Sequence, residues 1–155
     1  MFKTLPKTTT FEYFLERKPD GIISELHDRV IVERQPIGEH EEMKGFLGGE
    51  VTVELKRLNL PYFIPKQALI KVTGREPAYS PDVFVVNQKN LSSEPLGKKS
   101  STVTQAASVP LVIEVVSTNW QDDYAPKLVD YEILGIPEYW IIDYLGLGGG
   151  MCSKF

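Results

Sequence analysis

The chain has few of the residues that small proteins use for covalent or metal cross-links. Among its 155 residues are one cysteine and two histidines. This composition excludes an internal disulfide and a standard structural zinc cluster. Cys152 has no partner within the chain, and the first residues contain Glu12 and Glu16 and lack an apolar signal core. We therefore expect a cytoplasmic protein.

The sequence also lacks a long hydrophobic run. No apolar stretch approaches the roughly 20 residues that a membrane-spanning helix needs, so no membrane association is expected. A content of 42% hydrophobic and 25% charged residues is ordinary for a globular protein of this length. We expect residues 1–145 to form a single domain. Residues 146–155, which include three consecutive glycines, are expected to form a flexible tail.

Positive charge is not in excess. The chain has 17 basic and 21 acidic residues, which gives a net charge of −4. This balance argues against a protein that only binds nucleic acid. It argues less against a nuclease, because an acidic site that binds Mg²⁺ reverses its local charge. The sequence contains no Gly-rich phosphate loop and no nucleophile elbow, so other motif-based chemistries have little support.

Hydrophobic periodicity predicts an α/β domain in which helices and strands alternate and a long helix covers one face of a sheet. Thr10 is expected to cap the first helix, and Gly135 to end the last one. The polar segment 87–108 is interpreted as a mobile insertion. The predicted elements are a helix after residue 10, strands 22–26 and 30–33, a helix over 41–58, strands 62–64, 68–72, 83–86 and 111–116, a helix from Asp122 or Asp123 to Leu134, and a strand over 139–142.

Glu114 is the most informative residue, because it interrupts an apolar run that is typical of a central strand covered on both faces. An ionised carboxylate at such a position must be paired, protonated or bound to a metal. The alternative interpretation is a structural ion pair or a position at the sheet edge.

Asp82 follows Pro81 and directly precedes a predicted strand, so its carboxylate can face a cleft at the start of that strand. A simple turn residue after the proline is the alternative. Two carboxylates on adjacent strands can share a hard divalent cation through their oxygens, with water completing the coordination shell. Asp82 and Glu114 together therefore indicate a metal site.

Lys127 lies by angle within the apolar stripe of the last helix, so we expect it to point toward the sheet. Its charge can there stabilise the transition state of phosphodiester hydrolysis or orient the attacking water. Alternatively, the side chain extends along the helix to solvent.

Glu25 and His40 are weaker candidates for the same cleft. Glu25 lies in the first hairpin, where an ion pair with Arg29 or Arg34 is the alternative interpretation. His40 begins the long helix, a position at which histidine is usually a surface or capping group.

In their order along the chain, these motifs resemble the PD-(D/E)XK nuclease superfamily, and specifically its Uma family of restriction-endonuclease-like proteins. The resemblance covers most of the chain. Glu25 and His40 are also similar to the glutamate of the family's Tyr-Glu-Leu strand and to its helix-starting histidine. The segments that carry the resemblance are Ser80–Val86, Leu111–Ser117, Asp123 with Lys127 and Tyr131, and Gly135–Trp140.

The resemblance implies a restriction-endonuclease-like fold, with a mixed central sheet flanked by helices. It also implies that Asp82 and Glu114 bind Mg²⁺, or Mn²⁺ in its place, and that a lysine assists hydrolysis. The usual lysine two positions after the glutamate is Val116 here, so the resemblance leaves Lys127 as the candidate for a migrated lysine. Family members typically continue into a C-terminal β-hairpin, whereas this sequence ends at Phe155, so we expect a truncated version of the fold.

Two hypotheses follow. The first is a metal-dependent endonuclease that acts on nucleic acid, with DNA as the expected substrate and a homodimer as a possible assembly. The second is a catalytically inactive interaction domain that retains the fold. The acidic balance and Val116 favour the second, and the retained Asp82, Glu114 and Lys127 favour the first.

Overall fold

The structure is a computed structural model that describes residues 9–35, 37–117 and 120–146, without the side chains of residues 120–123. Nine strands and four α-helices lie within these ranges. The helices are α1 (Phe11–Arg17), α2 (Gly38–Arg57), α3 (Gly97–Ser100) and α4 (Trp120–Leu134). The strands are β1 (Ser24–His27), β2 (Val30–Glu33), β3 (Tyr62–Phe63), β4 (Leu69–Lys71), β5 (Ala78–Tyr79), β6 (Val83–Asn87), β7 (Thr102–Val103), β8 (Leu111–Val115) and β9 (Tyr139–Ile142).

The strands form two mixed sheets rather than one central sheet. The five-stranded sheet has the order β2-β1-β5-β4-β7, and the four-stranded sheet has the order β3-β6-β8-β9. The pairs β4–β7 and β8–β9 are parallel, and the other pairs are antiparallel. The predicted α/β class is confirmed, and the last strand, β9, lies beside β8.

A shared core holds the two sheets together. Ile70 and Tyr79 of the five-stranded sheet pack with Phe84 and Val112 of the four-stranded sheet and with Tyr131 of α4. A second cluster joins α1 to the five-stranded sheet through Phe11, Phe14, Leu26, Ile31, Leu69 and Ala78. Side chains from both sheets and from α4 can therefore meet at one place.

Local signals in the sequence explain where several elements begin and end. The Thr10 side chain accepts a hydrogen bond from the Tyr13 amide at the start of α1, as expected of an N-cap. Asp28 and Arg29 turn the β1–β2 hairpin with φ angles of 42° and 67°. Gly135, with φ of 86°, ends α4, because this left-handed conformation favours glycine.

The interpretation of residues 87–108 as a mobile insertion is wrong. The segment contains 3₁₀ helices at Gln88–Ser93 and Ala106–Ser108, together with α3 and β7. The polar composition of the segment gives no sign that Glu94 is buried. The Glu94 carboxylate accepts hydrogen bonds from the amides of Thr104 and Gln105. These bonds tie the middle of the segment to the part that follows β7.

Two helices differ from their predicted form. Helix α4 begins at Trp120, before the expected cap at Asp122 or Asp123, whose side chains lie outside the described ones. Helix α2 contacts β3, β6 and β8, but none of its residues is fully buried. The proposed tail, apart from Gly146, lies outside the described residues. None of the helices described is both long and apolar enough to cross a bilayer.

Candidate active site

Asp82 and Glu114 lie next to each other at the ends of two paired strands. Val83 of β6 pairs with Ile113 of β8 in antiparallel register, and Asp82 and Glu114 are the next residues beyond this pair. The Glu114 residue is fully buried and the Asp82 side chain is 1% exposed. The strand register therefore brings both carboxylates to the same point in the interior.

The Asp82 carboxylate is surrounded by donors and cations. Its Oδ2 accepts a hydrogen bond of 2.8 Å from the Val115 amide, and its Oδ1 accepts one of 3.1 Å from Arg34 Nη1. His40 Nε2 lies 3.5 Å from Oδ2, and Lys44 Nζ lies 3.9 Å from Oδ1. Burial raises the pKa of Asp82, but His40, Arg34 and the Val115 amide outweigh burial and lower the pKa overall. Asp82 is therefore ionised at neutral pH.

The two oxygens of Glu114 have different environments. Oε1 lies 3.3 Å from Lys127 Nζ and 3.2 Å from the Tyr131 hydroxyl, and both groups donate to it. Oε2 is buried and has no hydrogen-bond partner among the described residues, and Arg34 Nη1 lies 4.0 Å from it. Burial raises the pKa of Glu114 to about 7 despite the opposing charge of Lys127, and the negative charge of Asp82 adds to the rise.

Lys127 reaches the site from α4, as its position in the apolar stripe predicts. The residue is fully buried, so its side chain does not extend to solvent. Its Nζ donates to Glu25 Oε1 at 2.9 Å as well as to Glu114 Oε1. Burial lowers the pKa of Lys127, but the charges of Glu114 and Glu25 outweigh burial and raise the pKa overall. The amine is therefore positively charged at neutral pH.

Glu25 of β1 fixes the far side of Lys127. The same Oε1 that binds Lys127 also accepts a hydrogen bond of 2.9 Å from the Ser80 amide, and Oε2 accepts one of 2.7 Å from His27 Nε2. Burial raises the pKa of Glu25, but the charges of Lys127 and Arg34 and the His27 hydrogen bond hold it well below its usual value. Glu25 is thus an ionised anchor for the lysine.

His40, in the first turn of α2, connects that helix to the end of β8. Its Nε2 donates to the Val115 carbonyl at 3.0 Å, which requires the proton to be on that nitrogen. The interaction with Asp82 is the largest influence on the pKa of His40 and raises it. The five residues singled out in the sequence, Glu25, His40, Asp82, Glu114 and Lys127, therefore lie in one connected cluster.

Sequence reasoning missed three members of this cluster. Arg34 was considered only as an ion-pair partner of Glu25, whereas its side chain also contacts Asp82 and Glu114. Lys44 lies four residues after His40, and this helical spacing was an available signal. Tyr124 lies in the apolar stripe of α4, a position that predicts core packing and gives no signal that its hydroxyl donates to the Val115 carbonyl.

The residues present fit a hard divalent cation. Asp82 and Glu114 offer carboxylate oxygens, which Mg²⁺ prefers, and Glu114 Oε2 is a buried acceptor without a hydrogen-bond donor in the described part of the chain. Within that part, no three His, Cys, Asp or Glu side chains form a metal-binding group. Two carboxylates are nevertheless a usual protein contribution to Mg²⁺ binding, since this ion keeps several of its waters.

Comparisons with known proteins bear on the fold of the chain. No curated protein matches the chain. A crystal structure described as that of "a putative nuclease belonging to DUF820", from Anabaena variabilis, has a TM-score of 0.64 and 18% sequence identity to it. The match covers 88% of this chain and 74% of that one. At this identity the likeness shows a shared fold.

The family comparison extends over nearly all of the described structure. The model of the Uma2 family, described as "Putative restriction endonuclease", matches residues 11–146, from the start of α1 to the end of the described chain. The resemblance seen in the sequence is thereby confirmed. The chain belongs to the Uma2 family of restriction-endonuclease-like proteins.

Proposed function

We propose that this protein is a Mg²⁺-dependent endonuclease that hydrolyses phosphodiester bonds of nucleic acid, with DNA as its substrate. The observation that carries the proposal is the buried Glu114 Oε2, which has no hydrogen-bond donor in the described chain and faces the side of Arg34 that binds Asp82. Burying an ionised oxygen without a partner is costly. A divalent cation would remove this cost.

In this proposal Asp82 and Glu114 hold the metal, for which Mn²⁺ can substitute. The bound ion would supply a Lewis acid that activates water and neutralises charge on the phosphate. The protein contributes the fixed position of both carboxylates, since Asp82 is held by the Val115 amide and Glu114 by Lys127 and Tyr131. Hydrogen bonds of this kind orient the ligands of a metal site.

Lys127 has the role of a charged donor rather than a base. Its raised pKa keeps the amine protonated, so it can stabilise developing negative charge or orient the attacking water. Glu25 holds the amine in place from the opposite side at 2.9 Å. In this proposal Glu25 is a positioning residue for the Lys127 amine.

A specific observation favours a second candidate function, an inactive interaction domain. Val116, at the position of the superfamily's usual lysine, is buried. The carboxylates that would bind a metal are also already paired with cations of the chain. A protein that kept this fold but no longer hydrolysed phosphodiester bonds would have the same features.

Cleavage assays distinguish the two candidates. We expect plasmid and linear DNA to be cut in Mg²⁺ or Mn²⁺ and to remain intact in EDTA. Asp82→Asn and Glu114→Gln should abolish cutting while circular dichroism shows a folded protein. Glu50→Gln, at an exposed position of α2, is the matched control and should cut as the wild type does. Cleavage that persists in EDTA would contradict the metal mechanism.

Two finer features of the proposal have separate tests. Parallel assays with single-stranded RNA measure whether DNA is preferred, and equal cutting of both would contradict DNA specificity. Sedimentation of the active protein measures whether two copies associate, as expected if the two strands of a duplex are cut together. A monomer that makes double-strand breaks would contradict the homodimer.

A further inference from the structure

Arg34 lies close to the carboxylate oxygens of Asp82 and Glu114 that would bind a metal. Its Nη1 is 3.1 Å from Asp82 Oδ1 and 4.0 Å from Glu114 Oε2. The other oxygen of each carboxylate already has hydrogen-bond donors, namely the Val115 amide for Asp82 and Lys127 with Tyr131 for Glu114. The guanidinium therefore faces the same two oxygens that remain for a metal.

A divalent cation and Arg34 cannot use these oxygens together. Mg²⁺ binds oxygen at about 2.0–2.1 Å, so an ion in contact with both carboxylates requires the space between them, which Nη1 now borders. The guanidinium is permanently charged, so it would also repel the ion. Binding of the metal thus requires Arg34 to move.

The Arg34 side chain is partly exposed to solvent, whereas the Lys127 side chain is not. The Arg34 side chain is 21% exposed, and the residue directly follows the end of β2. The Lys127 side chain is completely buried. The Nε of Arg34 also lies 3.6 Å from Glu25 Oε2, at the opposite end of the guanidinium from Asp82. Loss of the Asp82 contact would therefore leave the side chain one acidic neighbour and access to solvent.

We propose that Arg34 is an internal competitor of the divalent cation. In the metal-free protein it is the counter-ion of Asp82 and Glu114, and metal binding displaces its guanidinium from both. This inference rests on the proposed metal site, and it adds a residue that sets the affinity of that site. The apparent affinity for the metal equals the intrinsic affinity multiplied by the fraction of molecules in which Arg34 has left the carboxylates.

The direct test is the metal affinity of Arg34→Met, which keeps much of the apolar stem and removes the charge. If Arg34 leaves the carboxylates in about a tenth of molecules or fewer, its removal should tighten Mn²⁺ binding about tenfold or more, as measured by calorimetry. Arg57→Met is the matched control, because Arg57 is 65% exposed and pairs with Glu54 on the same helix. We expect the control to bind Mn²⁺ as the wild type does.

The melting temperature gives a second readout. Without metal, Arg34→Met should melt below the wild type, because three buried carboxylates lose a cation. With saturating Mn²⁺ the difference should shrink, since the displaced Arg34 no longer contributes its ion pairs in the wild type. A difference that stays constant at all Mn²⁺ concentrations would overturn the proposal.

A measurement on the wild type covers the case in which Arg34→Met does not fold. The ¹⁵N signal of the Arg34 Nε–H group should shift during Mg²⁺ titration and move toward that of an exposed arginine, while the Arg57 signal stays fixed. An Arg34 signal that does not change at saturating Mg²⁺ would show that the ion binds without displacing it.

Failure of the inference and failure of the proposed function look different. If wild type and Arg34→Met bind Mn²⁺ equally, and Glu114→Gln does not bind it, the metal site exists and the competition is wrong. If none of these proteins binds Mn²⁺, the proposed metal-dependent function fails, and the inference fails with it.

Discussion

Two buried glutamates in this molecule have opposite surroundings. Glu94, between β6 and β7, accepts hydrogen bonds on both oxygens from the Thr104 and Gln105 amides and the Thr104 hydroxyl, all neutral donors. Glu114 shares Lys127 with another carboxylate and has an oxygen without a hydrogen-bond donor in the described residues. A carboxylate whose two oxygens both accept hydrogen bonds from neutral donors stabilises its chain segment. A carboxylate with an oxygen that accepts no hydrogen bond is available to a ligand.

The largest expected difference between the two glutamates is in catalysis. Glu114→Gln should lower kcat/KM for DNA cleavage about a thousandfold or more, because it removes a proposed metal ligand at nearly constant volume. Glu94→Gln should remain within about twofold, since Glu94 contacts no residue of the site. Steady-state cleavage in Mg²⁺ measures both. Equal losses of kcat/KM in Glu114→Gln and Glu94→Gln would show that the two glutamates do not differ in their role in catalysis.

Lys127→Met should have a large effect on stability. The substitution leaves Glu25 and Glu114 buried without their shared cation, which we expect to cost about 3–5 kcal/mol in the free energy of unfolding. Urea denaturation measures this cost. The double variant Glu25→Gln with Lys127→Met should recover part of it, because one uncompensated charge is then gone. Strict additivity of the two substitutions would show that the pair is not coupled.

The stability of the metal-free protein should depend on pH through Glu114. The pKa of Glu114 is about 7 in the folded protein and has a usual value of 4.5, so the folded state keeps a proton that the unfolded chain releases. The resulting stabilisation is present below about pH 4.5 and is lost as the pH rises to about 7, with a size of about 3 kcal/mol.

Urea denaturation in EDTA between pH 5 and 8 tests this dependence. The wild type should lose stability relative to Glu114→Gln as the pH rises, and Thr104→Val should keep the wild-type slope. Parallel curves for wild type and Glu114→Gln would show that Glu114 does not carry the effect.

The smallest expected effect lies at Glu94. Thr104→Val removes the hydroxyl that donates to Glu94 Oε2 at 3.0 Å but leaves the Thr104 amide bond. We expect a loss of about 1–2 kcal/mol in the free energy of unfolding, with Mn²⁺ affinity unchanged by calorimetry. A change in Mn²⁺ affinity would show that this segment and the candidate active site are coupled.

The sequence was sufficient to identify the centre of the site, because three charged residues occur where apolar ones are expected. Asp82 and Glu114 adjoin or interrupt strands, and Lys127 interrupts the apolar stripe of a helix. Burial has a strong energetic consequence for such residues, so their positions are informative without a structure. The same reasoning could not separate a metal site from a structural ion pair.

The sequence was not sufficient where a long side chain or a tertiary contact decides the outcome. Arg34 follows a strand end, and no local periodicity gives the direction of its flexible side chain. Glu94 lies in a polar segment, and its burial depends on amides ten and eleven residues away. The short strands β5 and β7 were also missed, because two residues are too few to show alternation.

The peptide groups of Val115 bond to three side chains at the site. Substitution of the Val115 side chain would not reveal these contacts. The Val115 amide donates to Asp82, and its carbonyl accepts from His40 of α2 and Tyr124 of α4. Replacing the valine side chain leaves all three bonds possible. Hydrogen exchange of this amide is therefore a probe of whether Asp82 has changed partners, readable without a substrate and without altering the protein.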